Sequence, residues 1–177
     1  RIRRHPILSF SHFLPRIELM PEKRFLSQPN LPKIAGSDFV RRRVDSLQPD
    51  VHIFGHTHLP WDMRLEGVRY RSWPLGSPME QAMRIASIPT EKTERWHPLA
   101  VFDNYGTHYP EEQACWFSTM YRMMAREPES CEWAPYVAAE YCPQATIVQT
   151  TLAFQPKMPE TEADRLRQEK YKRIAGI

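Results

Sequence analysis

Hydrophobic and polar positions divide the chain into short segments of different period. Val51-His52-Ile53-Phe54 is a β-branched and aromatic run that reads as a strand and stops at Gly55, where the backbone is free to turn sharply. Pro60 then keeps this strand from continuing as a central, fully paired one. Upstream, an apolar run beginning at Ile7 reads as a second strand and ends near His12. Between the two, Val40, Val44 and Leu47 recur at i, i+4 and i+7, Ser37 stands as an N-cap and Pro49 closes the segment. That pattern predicts a helix from Ser37 through about Leu47, with the arginines at 41 to 43 largely on its outer side. The helix carries the chain back so that the strand at Val51 lies parallel to the one at Ile7, through a crossover that is normally right-handed.

After Pro60, Asp62 to Leu65 and Val68 to Arg71 alternate apolar and polar residues around Glu66-Gly67, which predicts a hairpin with one packed and one wetted face. Ser77-Pro78-Met79-Glu80 has the N-cap, first-turn proline and third-position acid of a capped helix, with Met79, Ala82, Met83 and Ala86 on its packing face. Leu99 to Phe102 reads as one more strand. Glu111 to Arg126 has helix composition, and Trp116, Phe117, Met120, Tyr121 and Met124 form a stripe for the core or for a partner. The charged stretch from Glu160 to Lys172 is an exposed terminal helix or a frayed tail.

Composition changes this picture little. Of 177 residues, 41 % are hydrophobic and 25 % charged, which is ordinary for a globular chain. No apolar run approaches the length of a membrane span or a signal peptide. A net charge of +3 is compatible with anionic substrates without demanding nucleic acid, and no recognisable nucleic-acid-reading motif accompanies the basic runs at 1–4 and 41–43. Cys115, Cys131 and Cys142 are widely spaced, so neither a disulfide framework nor a zinc ribbon is indicated and a reducing, cytoplasmic compartment is the expectation. Seventeen prolines, against a usual share of about 5 %, break the chain into short elements. Four of them fall between Leu14 and Pro32, predicting an irregular loop over the surface or along a site.

Candidate chemistry gathers at the strand ends. In an extended segment, side chains two apart point the same way with Cα atoms roughly 6.6 Å apart, so His56 and His58 can face one ion or a close pair of ions. Seven histidines in the chain also allow an accidental His-x-His, and position argues against accident: open α/β sheets collect their ligands at the carboxyl ends of strands. Parallel neighbours place His12 at the same end. His52 lies four residues before His56, roughly 13 Å along the strand, and is expected to be a strand histidine with a local hydrogen-bond partner. His97 and His108, in loop-like sequence, are expected at the surface. Arg16, Lys23 and Arg24, in the loop after His12, are candidates for gripping a phosphate.

Gly55-His56-Thr57-His58 at the end of a strand resembles the last motif of the calcineurin-like metallophosphoesterases, a family of two-metal phosphoester hydrolases. The segment from Ile7 to Pro15 looks like the motif that precedes it, an apolar strand ending in a single metal-binding histidine. The resemblance covers roughly Pro6 to Met83. It implies an α/β fold in which residues 1–88 are the C-terminal half of a metallophosphoesterase αββα sandwich and residues 89–177 a partly helical extension. It implies two divalent ions, manganese, iron or zinc, that activate water for in-line attack on a phosphorylated substrate, with His12 and His56 on one ion and His58 on the other.

The family's earlier motifs, Asp-x-His at the first strand, Gly-Asp-x-x-Asp and Gly-Asn-His-Asp/Glu, are missing: no glycine in the chain is followed by aspartate or asparagine. The bridging carboxylate and the histidine that serves as general acid therefore have no counterpart here. Together with an arginine at position 1, this gives the expectation of a fragment, inactive by itself, of a complete phosphatase. A non-catalytic metal-binding or scaffold domain is the alternative, and a basic nucleic-acid-binding fragment a third.

Overall fold

The computed structural model describes residues 5–78, 80, 98–103, 112–134 and 137–138. Four short strands, β1 (Leu8–Phe10), β2 (Val51–Ile53), β3 (Trp61–Leu65) and β4 (Val68–Ser72), form one mixed sheet in the order β1-β2-β4-β3. β1 and β2 are parallel, with Leu8 opposite Val51 and Phe10 opposite Ile53. β4 lies parallel to β2 on its other side, and β3 closes the sheet antiparallel to β4. The chain is thus α/β, with the crossover from β1 to β2 made by α1 (Asp38–Leu47).

α1 forms where its pattern places it. Ser37 is extended, and its hydroxyl accepts the Val40 N–H at 3.4 Å. At the other end Gln48 turns left-handed at φ 46° and donates its N–H to the Val44 carbonyl, so the helix ends at Leu47, two residues before Pro49. Val44 alone on this helix is fully buried, and Val40 packs against the core from its edge.

The hairpin is a two-residue turn, with Leu65 opposite Val68 and both Glu66 (φ 49°) and Gly67 (φ 86°) in the left-handed region that such turns demand. The expected wet face is corrected. β4 is a central strand between β2 and β3, buried along its whole length, so its alternating arginines have no solvent to reach. Arg69 and Arg71 instead meet Asp62 of β3. Its two carboxylate oxygens take Arg69 Nε and Nη2 at 2.8 Å each, the fork geometry of a guanidinium on a carboxylate.

The loop from Leu14 to Pro32 is likewise corrected from a surface run to a packed one. It makes 3-10 turns at Ile17–Leu19, Lys23–Phe25 and Leu31–Lys33, and Leu19, Met20, Phe25 and Leu26 are core residues. Leu14 bridges Gly36 as a parallel neighbour, and a Cβ at Gly36 would overlap the Leu14 carbonyl, so only glycine admits this approach.

Leu99 to Phe102 is not a strand, contrary to expectation; the Ala100 carbonyl is taken instead by Arg71 Nη1 at 2.8 Å. α2 (Trp116–Met123) buries Phe117 and Met120 in the core that holds Leu19, Trp61 and Tyr70, with Trp116, Tyr121 and Met124 packed at its margin. The Asp62 carboxylate accepts the Gln113 N–H and its carbonyl accepts Arg122, so the residues leading into and along α2 are tied to the hairpin. Cys115 and Cys131 are free thiols; burial pushes the Cys115 thiol up to about 12, which makes it unreactive. Among the described residues no helix is long and apolar enough to cross a membrane. The helix face of Met79, Ala82, Met83 and Ala86, the histidines at 97 and 108, Cys142 and the segment from Glu160 to Lys172 lie outside the described residues.

Candidate metal centre

Parallel pairing of β1 and β2 sends His12 and the 55–58 segment out of the same end of the sheet. Three ties hold the two together: the Ser11 N–H donates to the Ile53 carbonyl at 2.9 Å, the Gly55 N–H donates to the His12 carbonyl at 3.1 Å, and the rings of His12 and His56 meet. His12 Nε2 lies 3.1 Å from His56 Nδ1, with ring centroids 5.0 Å apart and nearly perpendicular. Phe13 packs against both rings, at 5.1 Å and 4.7 Å between centroids.

The local backbone differs from expectation. The positive φ values fall on His56 (70°) and His58 (52°), and Gly55 is not among them. The segment is a turn rather than an extended strand, so His56 and His58 do not share a direction. His56 faces His12, while His58 Nδ1 sits 2.9 and 3.0 Å from the two carboxylate oxygens of Glu80. A left-handed conformation costs a non-glycine residue about 1–2 kcal/mol. Strain of this kind concentrates where geometry serves a ligand.

Glu80 is itself held by a capping box. Its N–H reaches the Ser77 hydroxyl at 3.2 Å and its carboxylate accepts the Ser77 N–H at 2.8 Å. Burial works against ionisation of this carboxyl, but the Ser77 N–H and the His58 ring outweigh it and hold the pKa down at about 2. Burial first, then the neighbouring charges of His12 and His58, hold His56 below the usual imidazole range and keep its lone pair available. His56 Nε2 is buried with no hydrogen-bond partner among the described residues, while Nδ1 faces the His12 ring.

The His12–His56 pair fits an ion. Nitrogen-to-metal bonds of about 2.0–2.1 Å at a tetrahedral angle set two ligand nitrogens about 3.3–3.4 Å apart, close to the 3.1 Å observed. One ring now carries the proton that the other accepts, and a cation would take that proton's place. No group of three or more His, Cys, Asp or Glu that would enclose an ion occurs among the described residues, so the pair supplies one edge of a shell.

The arginine candidates lie elsewhere in role. The Arg16 guanidinium is buried and gripped by Glu66 at 2.7 and 2.9 Å and by Glu18 at 2.9 Å, and these hydrogen bonds, Glu66 first, raise its pKa further. Arg24 is buried beside Glu22, 3.3 Å from the Glu127 carboxylate and within hydrogen-bond reach of Ser130. Lys23 is exposed on its 3-10 turn. A cleft of about 270 Å³ lined by Pro15, Arg16, Gly36 and Arg41 contains none of the histidines.

Glu80 escapes sequence reasoning as a partner of His58, because Ser77-x-x-Glu80 announces a helix cap and nothing in the spacing points 22 residues back. His52 is, as expected, a strand histidine with a local partner, but it has two, Ser9 and Ser11. No family model matches the chain, and neither a curated protein nor a solved structure matches it significantly.

Proposed function

We propose that this chain carries part of a metal-dependent phosphoester hydrolase, the C-terminal half of a calcineurin-like metallophosphoesterase αββα sandwich. The observation that carries the reading is the 3.1 Å approach of His12 Nε2 and His56 Nδ1, delivered from two parallel strands to one end of the sheet. In this reading His12 and His56 hold one divalent ion, manganese, iron or zinc, and His58, oriented by Glu80, addresses a second. Bound divalent ions activate water and neutralise charge on phosphate oxygens. The residues of this chain orient the rings: the His12 main chain is pinned to β2, Phe13 shields both imidazoles on one side, and the Glu80 carboxylate fixes the His58 tautomer by accepting from Nδ1.

Metal-free protein titrated with zinc in a calorimeter is expected to bind through this pair, with His12→Ala and His56→Ala each abolishing the heat signal. With manganese, the chain is expected to turn over p-nitrophenyl phosphate no faster than His56→Ala, because its sequence has no counterpart of the family motif that supplies the bridging carboxylate. Zinc binding indifferent to both substitutions would defeat the proposal. A second reading, a non-catalytic metal-binding or scaffold domain, is favoured by the two-nitrogen donor set. Expressing the reading frame with whatever coding sequence precedes Arg1 separates them: metal-dependent phosphoester turnover by that protein belongs to the first, its absence to the second.

A further inference from the structure

His52 is 1 % exposed, on β2, and both of its ring nitrogens are engaged by serines, one in β1 and one immediately after it. Ser9 Oγ lies 2.8 Å from Nδ1, and Ser11 Oγ lies 3.0 Å from Nε2. The proton positions follow from the acceptors. Ser11 Oγ is 2.6 Å from the Phe13 carbonyl, which only accepts, so the single Ser11 proton points there. Ser11 Oγ must then accept from His52, which places the ring proton on Nε2. Nδ1 is left bare, and it accepts the Ser9 hydroxyl. Two serines and one carbonyl thus select a single tautomer of a buried ring.

This relay brackets His12. Residues 11 and 13, its two neighbours, are closed into a tight loop by the Ser11 hydroxyl, and His52 holds that hydroxyl from the next strand. Two main-chain bonds also tie this turn to β2 and the segment after it, from Ser11 to Ile53 and from Gly55 to His12. Besides the contact of the His12 and His56 rings, the bond of His52 to Ser11 is a side-chain tie, and it issues from the strand that leads into His56.

We propose that His52, acting through Ser11, is a positioning residue that sets the His12 ring at ligand distance from His56; this rests on the metal reading above. Burial holds the His52 pKa at about 4, so the ring stays neutral and the tautomer constant across the working range. Ser9 lies on the opposite side of the ring and does not touch the bracket, which makes it the control.

The test compares Ser11→Ala, Ser9→Ala, His52→Phe and His52→Gln by zinc calorimetry and by nitrogen-detected NMR of the imidazoles in the metal-free protein. Ser11→Ala and His52→Phe are expected to weaken zinc binding about tenfold or more, the usual effect of losing an outer partner of a metal ligand. Ser9→Ala is expected to change it less than about threefold, and His52→Gln, whose amide can still donate to Ser11, to recover most of the loss. A Ser9→Ala defect equal to that of Ser11→Ala, or Ser11→Ala affinity within about twofold of the parent, overturns the proposal. If His52→Phe does not fold, Ser11→Ala decides alone. If the parent binds no zinc, the metal reading fails, and the NMR coupling between the His12 and His56 rings decides: its loss in Ser11→Ala upholds the positioning role, its survival overturns it.

Discussion

Two polar clusters sit on the same small sheet and are built on opposite principles. At the end of β1 and β2, His12, His56 and His58 project from a turn, partly open to solvent, with two left-handed residues and a buried ring nitrogen that no described residue meets. In the body of β3 and β4, Asp62 receives Arg69 and Arg71 with all three side chains at most 2 % exposed and a regular strand backbone beneath them. The first cluster has strained backbone and stands at the open end of the sheet. The second spends its charges on each other and on the Gln113 N–H, so it joins parts of the fold. Formal charge is therefore a poor guide to function here; the informative sign is whether polar groups pair with each other inside the sheet or stand at its open end.

The sharpest way to break that contrast is at Asp62. Replacing it with alanine strands two buried guanidinium groups, and the expected loss is about 3–5 kcal/mol in urea unfolding, with zinc affinity of any folded fraction unchanged. Loss of zinc binding in the folded fraction would mean the two clusters are one system.

The next effect belongs to His52, which is buried like Asp62 but bonded to Ser11 beside the other cluster. Its folded pKa of about 4 lies below the ordinary imidazole value, so the unfolded chain binds the extra proton first as pH falls. Stability contributed by the neutral ring is present above about pH 6.5 and is lost towards pH 4, and His56, also shifted down, adds in the same direction. Between pH 7 and pH 5 the expected loss is about 2 kcal/mol, read from urea midpoints; His52→Gln should flatten most of that slope, and an unchanged slope would refute the assignment.

His56→Gly separates stability from function. Glycine relieves a φ of 70° but gives up the ring contacts with His12 and Phe13, so unfolding free energy is expected to stay level or rise by up to about 1 kcal/mol while zinc binding vanishes. A clear loss of stability would show that the ring is there for packing. The smallest effect is expected from Glu80→Gln, which keeps the cap on the Ser77 N–H and weakens only the charge-assisted bond to His58: under about 0.5 kcal/mol in stability, with a few-fold change in the affinity of the second ion.

Much of the fold is legible in the sequence because it rests on neighbours in sequence. The helix opening at Ser37, the two-residue turn at Glu66-Gly67 and the buried stripe of Phe117 and Met120 follow from capping, left-handed turn residues and helical period, all decided within a few residues. The candidate site is half legible. Bringing His12 beside His56 needs only two strands and a crossover, which is why a sequence argument reaches it. The separate direction of His58 is not legible, since the spacing argument assumes extended backbone and the chain turns left-handed at both histidines.

The roles of Arg16 and Arg24 were hidden for a related reason. A proline-broken, charged loop looks like surface, yet Leu19, Met20, Phe25 and Leu26 draw it inward, and each arginine follows with carboxylates from distant positions, Glu66 and Glu127. The same holds for β4, whose alternation promised a wet face until β2 and β3 enclosed it. What the sequence by itself determined is local: element type, caps, turns and the chemistry of the histidines, because these depend on backbone sterics and on residues a turn apart. Only tertiary structure decided which polar groups are used up inside and which stand at the open end of the sheet, because burial and pairing depend on what the rest of the chain brings alongside.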